Sequence, residues 1–204
     1  PLCAQTSSVI KLKTSLEPNG DNTICIWSQT TSGRIWVTGA KLLEDEYLDG
    51  EPNYYTITSQ EITIEGDVTY LNVDDNHLTS IDLSGNTYLR SLFCANNELE
   101  QIDLTKSGYL ATFDCHNNRF TSLDFSGNTK MRIVSIDRNR ISGEGMTKTL
   151  ESLHDQSAET GEVKIWVIDT KDANEQNVCT KEQVAMLKGK NFQVLDWAAG
   201  ANNR

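Results

Sequence analysis

The sequence predicts an α/β chain leaning to β: a short solenoid of 21-residue coils stacked through a parallel sheet and closed by two unlike caps. Three observations predict it. Apolar residues return at a fixed spacing between Val68 and Ile141, with Leu71, Leu92, Phe113 and Val134 in one column and Val73, Cys94, Cys115 and Ile136 in a second. Asn76, Asn97, Asn118 and Asn139 make a third column at the same spacing. On either side the period changes, to alternation before Val68 and to helical spacing after Ile141. Columns held in one register mark a repeat stack, because unrelated elements share no common period.

Within each coil the residues read L-x-x-L-x-(V/C/I)-x-x-N-x-L, the leucine-rich repeat pattern of a short strand followed by a turn. Leu71 and Val73 are two apart and so lie on one face of that strand. An inward Asn is expected where the chain bends, since its amide satisfies backbone groups that no sheet ladder reaches. A fainter copy fills the other half of each coil: Ile81-Asp82-Leu83, Ile102-Asp103-Leu104 and Leu123-Asp124-Phe125, with Ser-Gly-Asn at 84–86 and 126–128. Each coil therefore has two sides, each with an apolar pair and a turn. A single coil cannot bury its own apolar edge, so the stack needs protected ends. The repeats are expected to span 68–142.

Residues 1–8 are read as disordered or as the remnant of a secretory signal, with Ala4 as the small residue before cleavage. Cys3 as a lipid-anchor cysteine is the weaker reading, because Leu2 stands where a small side chain is wanted. From 9 to 67 an N-terminal antiparallel β cap is expected. Ile10 and Leu12 alternate with lysines, Ile24 and Ile26 with Cys25 and Trp27, and similar pairs flank Trp36, Thr56 and Thr63. Its expected role is to cover the open edge of the first coil. The carboxylate-dense run 44–51 matches no calcium-loop spacing and is read as a solvated acidic turn.

A C-terminal α/β cap that continues the stack is expected over 143–197. Met146, Thr149, Leu150 and Leu153 lie on one side of a helix from about Glu144 to Ser157. Residues 163–168 read as the next strand. Thr180 opens a second helix with Gln183 completing a capping box, Lys188-Gly189 ends it, and 192–197 reads as a final strand. Residues 198–204 read as a frayed tail.

A net charge of −11 argues against nucleic acid and anionic membrane as partners, since both reward Lys and Arg. Neither a phosphate-cradling glycine motif nor an apolar run long enough to span a bilayer is present in the sequence.

The repeats resemble those of bacterial, internalin-like leucine-rich repeat proteins, particularly surface and secreted ones of gut and oral Bacteroidetes. Residues 60–71 resemble the lead-in to their first coil, and 174–184 with Lys188-Gly189-Lys190 resemble their closing segment. The resemblance covers most of 9–197 and implies a secreted or cell-surface protein acting in adhesion or recognition. It implies host or bacterial surface protein as partner. Two departures stand out: only about four clear repeats, and no sorting or anchoring domain after Trp197.

The residues that alternate with the buried columns face outward on the sheet, and they are the candidate ligand-binding set. Tyr70, Asn72 and Asp74 come from the first coil, Phe93 from the second, Asp114 and His116 from the third, and Ser135 and Asp137 from the fourth. Tyr70 and Phe93 offer a stacking platform with Asp114, His116 and Asp137 as polar anchors on an open surface, the ordinary composition of a protein or sugar contact. Any one of these residues taken alone reads better as part of an ordinary solvated sheet face than as a ligand contact.

His116 between carboxylates has the makings of a general base, but no nucleophile motif or zinc-protease helix accompanies it, and His77 and His154 fall elsewhere. No catalytic residue, cofactor or metal ligand is expected. Cys94 and Cys115 replace core residues and read as buried free thiols; Cys3, Cys25 and Cys179 show no C-x-x-C spacing. The expectation is a monomeric, non-catalytic recognition or adhesion module. Glycan capture, and a structural spacer without its own ligand, are the alternatives.

Overall fold

The structure is a computed structural model, and residues 8–43 and 47–198 are described. The readings placed on Cys3 and Ala4, on the first part of the acidic run, and on the tail after residue 198 fall outside those residues.

Six strands precede the first repeat: β1 (Val9–Thr14), β2 (Thr23–Thr30), β3 (Trp36–Thr38), β4 (Ala40–Leu42), β5 (Pro52–Ile57) and β6 (Glu61–Glu65). The first coil supplies β7 (Val68–Asn72) and β8 (Leu78–Gly85), and the next three supply β9 (Ser91–Phe93), β10 (Thr112–Asp114) and β11 (Ile133–Ser135). Then follow α1 (Gly143–Ser152), β12 (Lys164–Ile168), α2 (Lys181–Gly189) and β13 (Gln193–Asp196). The chain is mostly β, with two helices among the described residues.

Six strands pair in parallel, in the order β7, β9, β10, β11, β12, β13. Their registers align Leu71 with Leu92, Leu92 with Phe113, and Phe113 with Val134. The alignment continues to Ile165 and Val194, where the 21-residue spacing is gone. The first two columns are interior: Leu71, Val73, Leu92, Cys94, Phe113, Cys115, Val134 and Ile136 are all fully buried. At about 25 cal/mol per Å², burying each such side chain is worth roughly 2 kcal/mol against leaving it in water.

The Asn column does the work a sheet ladder cannot. Asn118 Nδ2 donates to Cys94 O and Cys115 O at 2.9 and 3.1 Å, while its Oδ1 accepts from Leu99 N at 2.9 Å. Asn97 and Asn139 repeat this pattern one coil earlier and one later. Just before each ladder Asn, the chain is left-handed at Asp75, Asn96, Asn117 and Arg138, with φ between 53° and 59°. Asp and Asn tolerate that conformation better than other side chains, and three of the four positions carry one.

β2 runs antiparallel against β7, which covers the edge the repeats would leave bare. Asn76 locks that junction, its amide accepting from Cys25 N at 2.9 Å and donating to Cys25 O at 2.7 Å. The return half of the first coil, β8, pairs with β1 in a separate sheet ordered β3-β6-β1-β8. Later coils keep the apolar residues of the return half but form no strand there. Instead α1 covers the third coil, with Thr149 Oγ1 accepting from Leu123 N and Ser152 Oγ from Phe125 N at 2.8 and 2.9 Å.

α1 ends at Ser152, five residues short of the sequence expectation. Lys190 terminates it by donating from Nζ to Leu150 O and Glu151 O at 3.0 and 2.7 Å, and also to Leu153 O. α2 opens with the expected capping box, in which Thr180 N donates to Gln183 Oε1 at 2.8 Å and Gln183 N to Thr180 Oγ1 at 3.3 Å.

Candidate functional site

Side chains alternate across each parallel strand, so residues one step from the buried columns form rows on the opposite face. Register places Asn72, Phe93, Asp114 and Ser135 in one row and Tyr70, Ser91, Thr112 and Ile133 in another. Beyond the strand ends Asp74, Ala95, His116 and Asp137 line up at the same 21-residue spacing. Of the eight candidate residues, Tyr70, Asn72, Asp74, Phe93, Asp114 and His116 are half-buried.

Ser135 and Asp137 correct the expectation of an open surface. Both are buried, Asp137 completely. Ser135 Oγ donates to Asp137 Oδ1 at 2.8 Å, and Arg138 Nε donates to Oδ2 at 3.1 Å while its Nη1 approaches Asp172 at 3.7 Å. Trp197 from the C-terminal cap stacks on His116 with centroids 6.1 Å apart and meets Trp166 edge-on at 6.0 Å. Asp137 therefore belongs to an internal polar network at the far end of the face. The sequence pattern had no means of showing that the cap folds over that end.

The near end carries residues that sequence reasoning assigned only to the cap. β2 aligns Trp27 with Asn72, and β5 aligns Pro52 with Trp27. Trp27, Tyr70 and Phe93 form a chain of rings, with centroid separations of 5.6 and 5.3 Å. Two residues along, on the same face, β5 sets Tyr54 against Cys25, and Leu43 N donates to Tyr54 O at 2.9 Å. Tyr54 and Leu43 are 49% and 57% exposed. Alternation of Ile24 and Ile26 showed that Trp27 points away from the cap's core; only the pairing of β2 with β7 shows what it points beside.

The electrostatics follow from burial and neighbours. Burial pushes the Asp74 carboxyl up to about 6, with the charge of Asp114 adding to the rise, while hydrogen bonds from Ala95 N and Asn72 Nδ2 and the charge of His116 oppose it. Burial alone pulls His116 down. The Asp114 hydrogen bond, Nδ1 to Oδ1 at 2.7 Å, and the charges of Asp114 and Asp137 overcome that pull and leave the imidazole above its ordinary value. Burial raises the Asp137 carboxyl against the opposing bonds and charges of Ser135, His116 and Arg138. Asp114 Oδ1 also accepts from His116 N at 3.1 Å, whereas no described residue donates to its Oδ2.

His116 thus has Nδ1 committed to Asp114 and one ring face covered by Trp197. Such an arrangement holds the imidazole in place. Among the described residues no group of three or more His, Cys, Asp and Glu side chains is placed to hold a metal ion, and no helix is long and apolar enough to cross a membrane.

No protein-family model matches the chain, and no curated protein matches it. One solved structure is similar in part: the functional domain of InlJ from Listeria monocytogenes, described as including a cysteine ladder, at 21% identity and a TM-score of 0.36. The match covers 61% of this chain and 33% of that one. A superposition this loose carries nothing about the site, whose reading rests on the rows and contacts above.

Proposed function

We propose that the chain is a short, capped leucine-rich repeat solenoid that acts without catalysis, recognising a macromolecule through the sheet face after export to the cell surface or beyond. The observation that carries this reading is the half-exposed ring chain Trp27–Tyr70–Phe93 running into the Asp114–His116 pair across four strands of one sheet. Large rigid rings beside a few fixed polar groups give contact area at small entropic cost, which is the makeup of recognition surfaces. The partner class is host or bacterial surface protein, with glycan as the competing ligand.

The test is a glycan array run beside a panel of purified surface proteins, with Phe93→Ala/Asp114→Ala/His116→Ala as the comparison. Binding that falls at least about tenfold in the triple variant supports the reading, that loss corresponding to about 1.4 kcal/mol. Binding that the triple variant retains in full removes this face. Blank results from both probe sets favour a structural spacer.

A further inference from the structure

The aromatic chain extends past the repeats into the N-terminal cap. Leu43, Pro52, Tyr54, Trp27, Tyr70 and Phe93 belong to five consecutive members of one sheet, from the segment after β4 to β9, and share its outer face. The surface is therefore a strip running across the strands. The charged groups along it are Asp74 and Asp114, with His116 paired to the latter, and at the far end Lys41, exposed on β4 two residues before Leu43. Arg90 lies over the Tyr109 ring at 6.0 Å, and Arg138 is tied to Asp137 and Asp172. Asp114 adjoins Phe93 in register, is partly open at 24% side-chain exposure, and leaves Oδ2 without a donor from any described residue. An aromatic ring and an accessible carboxylate oxygen side by side fit a guanidinium or ammonium group, which gains from both at once. The chain's charge of −11 adds long-range attraction of the same sign.

We propose that this strip takes an extended, basic segment of a partner protein, with apolar side chains over Leu43, Tyr54 and Trp27 and an Arg or Lys seated between Phe93 and Asp114. The inference rests on the recognition reading above and narrows it to one ligand chemistry.

The probe is a displayed library of random short peptides, selected on the full chain at physiological salt. Three further proteins are compared: Phe93→Ala, Asp114→Asn, and Asp103→Asn/Asp124→Asn, whose two altered carboxylates are exposed on the return half of the coils. Thermal melts confirm that each is folded. The expected result is enrichment of Arg- and Lys-bearing sequences, with affinity reduced about fivefold or more by Phe93→Ala and by Asp114→Asn, as loss of a cation–π contact or an ion pair requires. The Asp103→Asn/Asp124→Asn control keeps wild-type affinity. Equal loss in that control reduces the effect to net charge and overturns the proposal, as does enrichment of neutral or acidic sequences, or no enrichment. The glycan array, run in parallel, separates the two readings: Phe93-dependent glycan binding without peptide enrichment overturns the basic-segment proposal and leaves the face as a recognition surface, whereas Phe93-independent binding overturns both.

Discussion

Asn118 has one side-chain oxygen and two amide hydrogens, and the fold uses all three on backbone groups of two coils. Replacing it with Ala strands the buried N–H of Leu99 and takes one of two amide donors from each of the carbonyls of Cys94 and Cys115, which keep Asn97 and Asn139 respectively. We expect Asn118→Ala to lower stability by on the order of 3 kcal/mol, measured by urea denaturation, with Asn118→Asp little better because it cannot donate. Asn177 belongs to the same column, since its Nδ2 donates to Ile136 O and its Oδ1 accepts from Ile141 N, at 2.7 and 2.8 Å. Sequence reading passed over it because the segment containing α1 and β12 breaks the 21-residue spacing that identified the others. Asp74 and His116 give the face a pH dependence. A carboxyl raised on folding opposes the native state above its unfolded value, and that penalty fades as pH falls through about 6. His116, also raised, stabilises fully below its unfolded value and loses that contribution as pH rises through its folded one. Both push the same way, so melting temperature is expected to be higher near pH 5.5 than near pH 8, and the Asp74→Asn/His116→Gln variant should flatten that difference.

Between residues and the whole, the helices are the elements where local pattern was most legible and least complete. Thr180 and Gln183 announced α2 correctly because a capping box is a local device. The end of α1 was misplaced because its terminator, Lys190, lies 37 residues beyond the last carbonyl it caps. Lys190→Met is expected to lower stability by about 1 kcal/mol and to raise amide exchange in the last turn of α1 alone. At the other end of that helix, a Cβ on Gly145 would sit 2.3 Å from Thr121 O, closer than any side chain is tolerated. Gly145→Ala should therefore destabilise the protein in urea even though Ala is the better helix former. The return halves show the same limit. Ile81 and Leu83 form a strand because β1 lies beside them, while Leu123 and Phe125 meet α1 instead; identical patterns took different structures from different neighbours.

For the molecule as a whole, one apolar core runs without interruption from Ile10 in the cap through the repeats to Phe192. The antiparallel cap and the parallel coils are stitched by β2 with β7 and by Asn76 with Cys25. A single cooperative transition, coincident by near- and far-UV circular dichroism, is expected; two separated transitions would show that the cap folds alone. The candidate face was legible as far as the alternation of Tyr70, Phe93 and Asp114 could carry it. Its extension through Trp27 and its closure over Asp137 depend on strand pairings that no single repeat encodes.

The most direct test of the account is thiol labelling of the native protein, with each cysteine followed separately by mass spectrometry. Burial lifts the Cys94 and Cys115 thiols well above their ordinary value, and both side chains lie at zero exposure. They should stay unmodified until the chain unfolds, while Cys25 and Cys179, only partly buried, react first. Rapid native labelling of Cys94 or Cys115 would place the second repeat column at the surface and contradict the stacked fold.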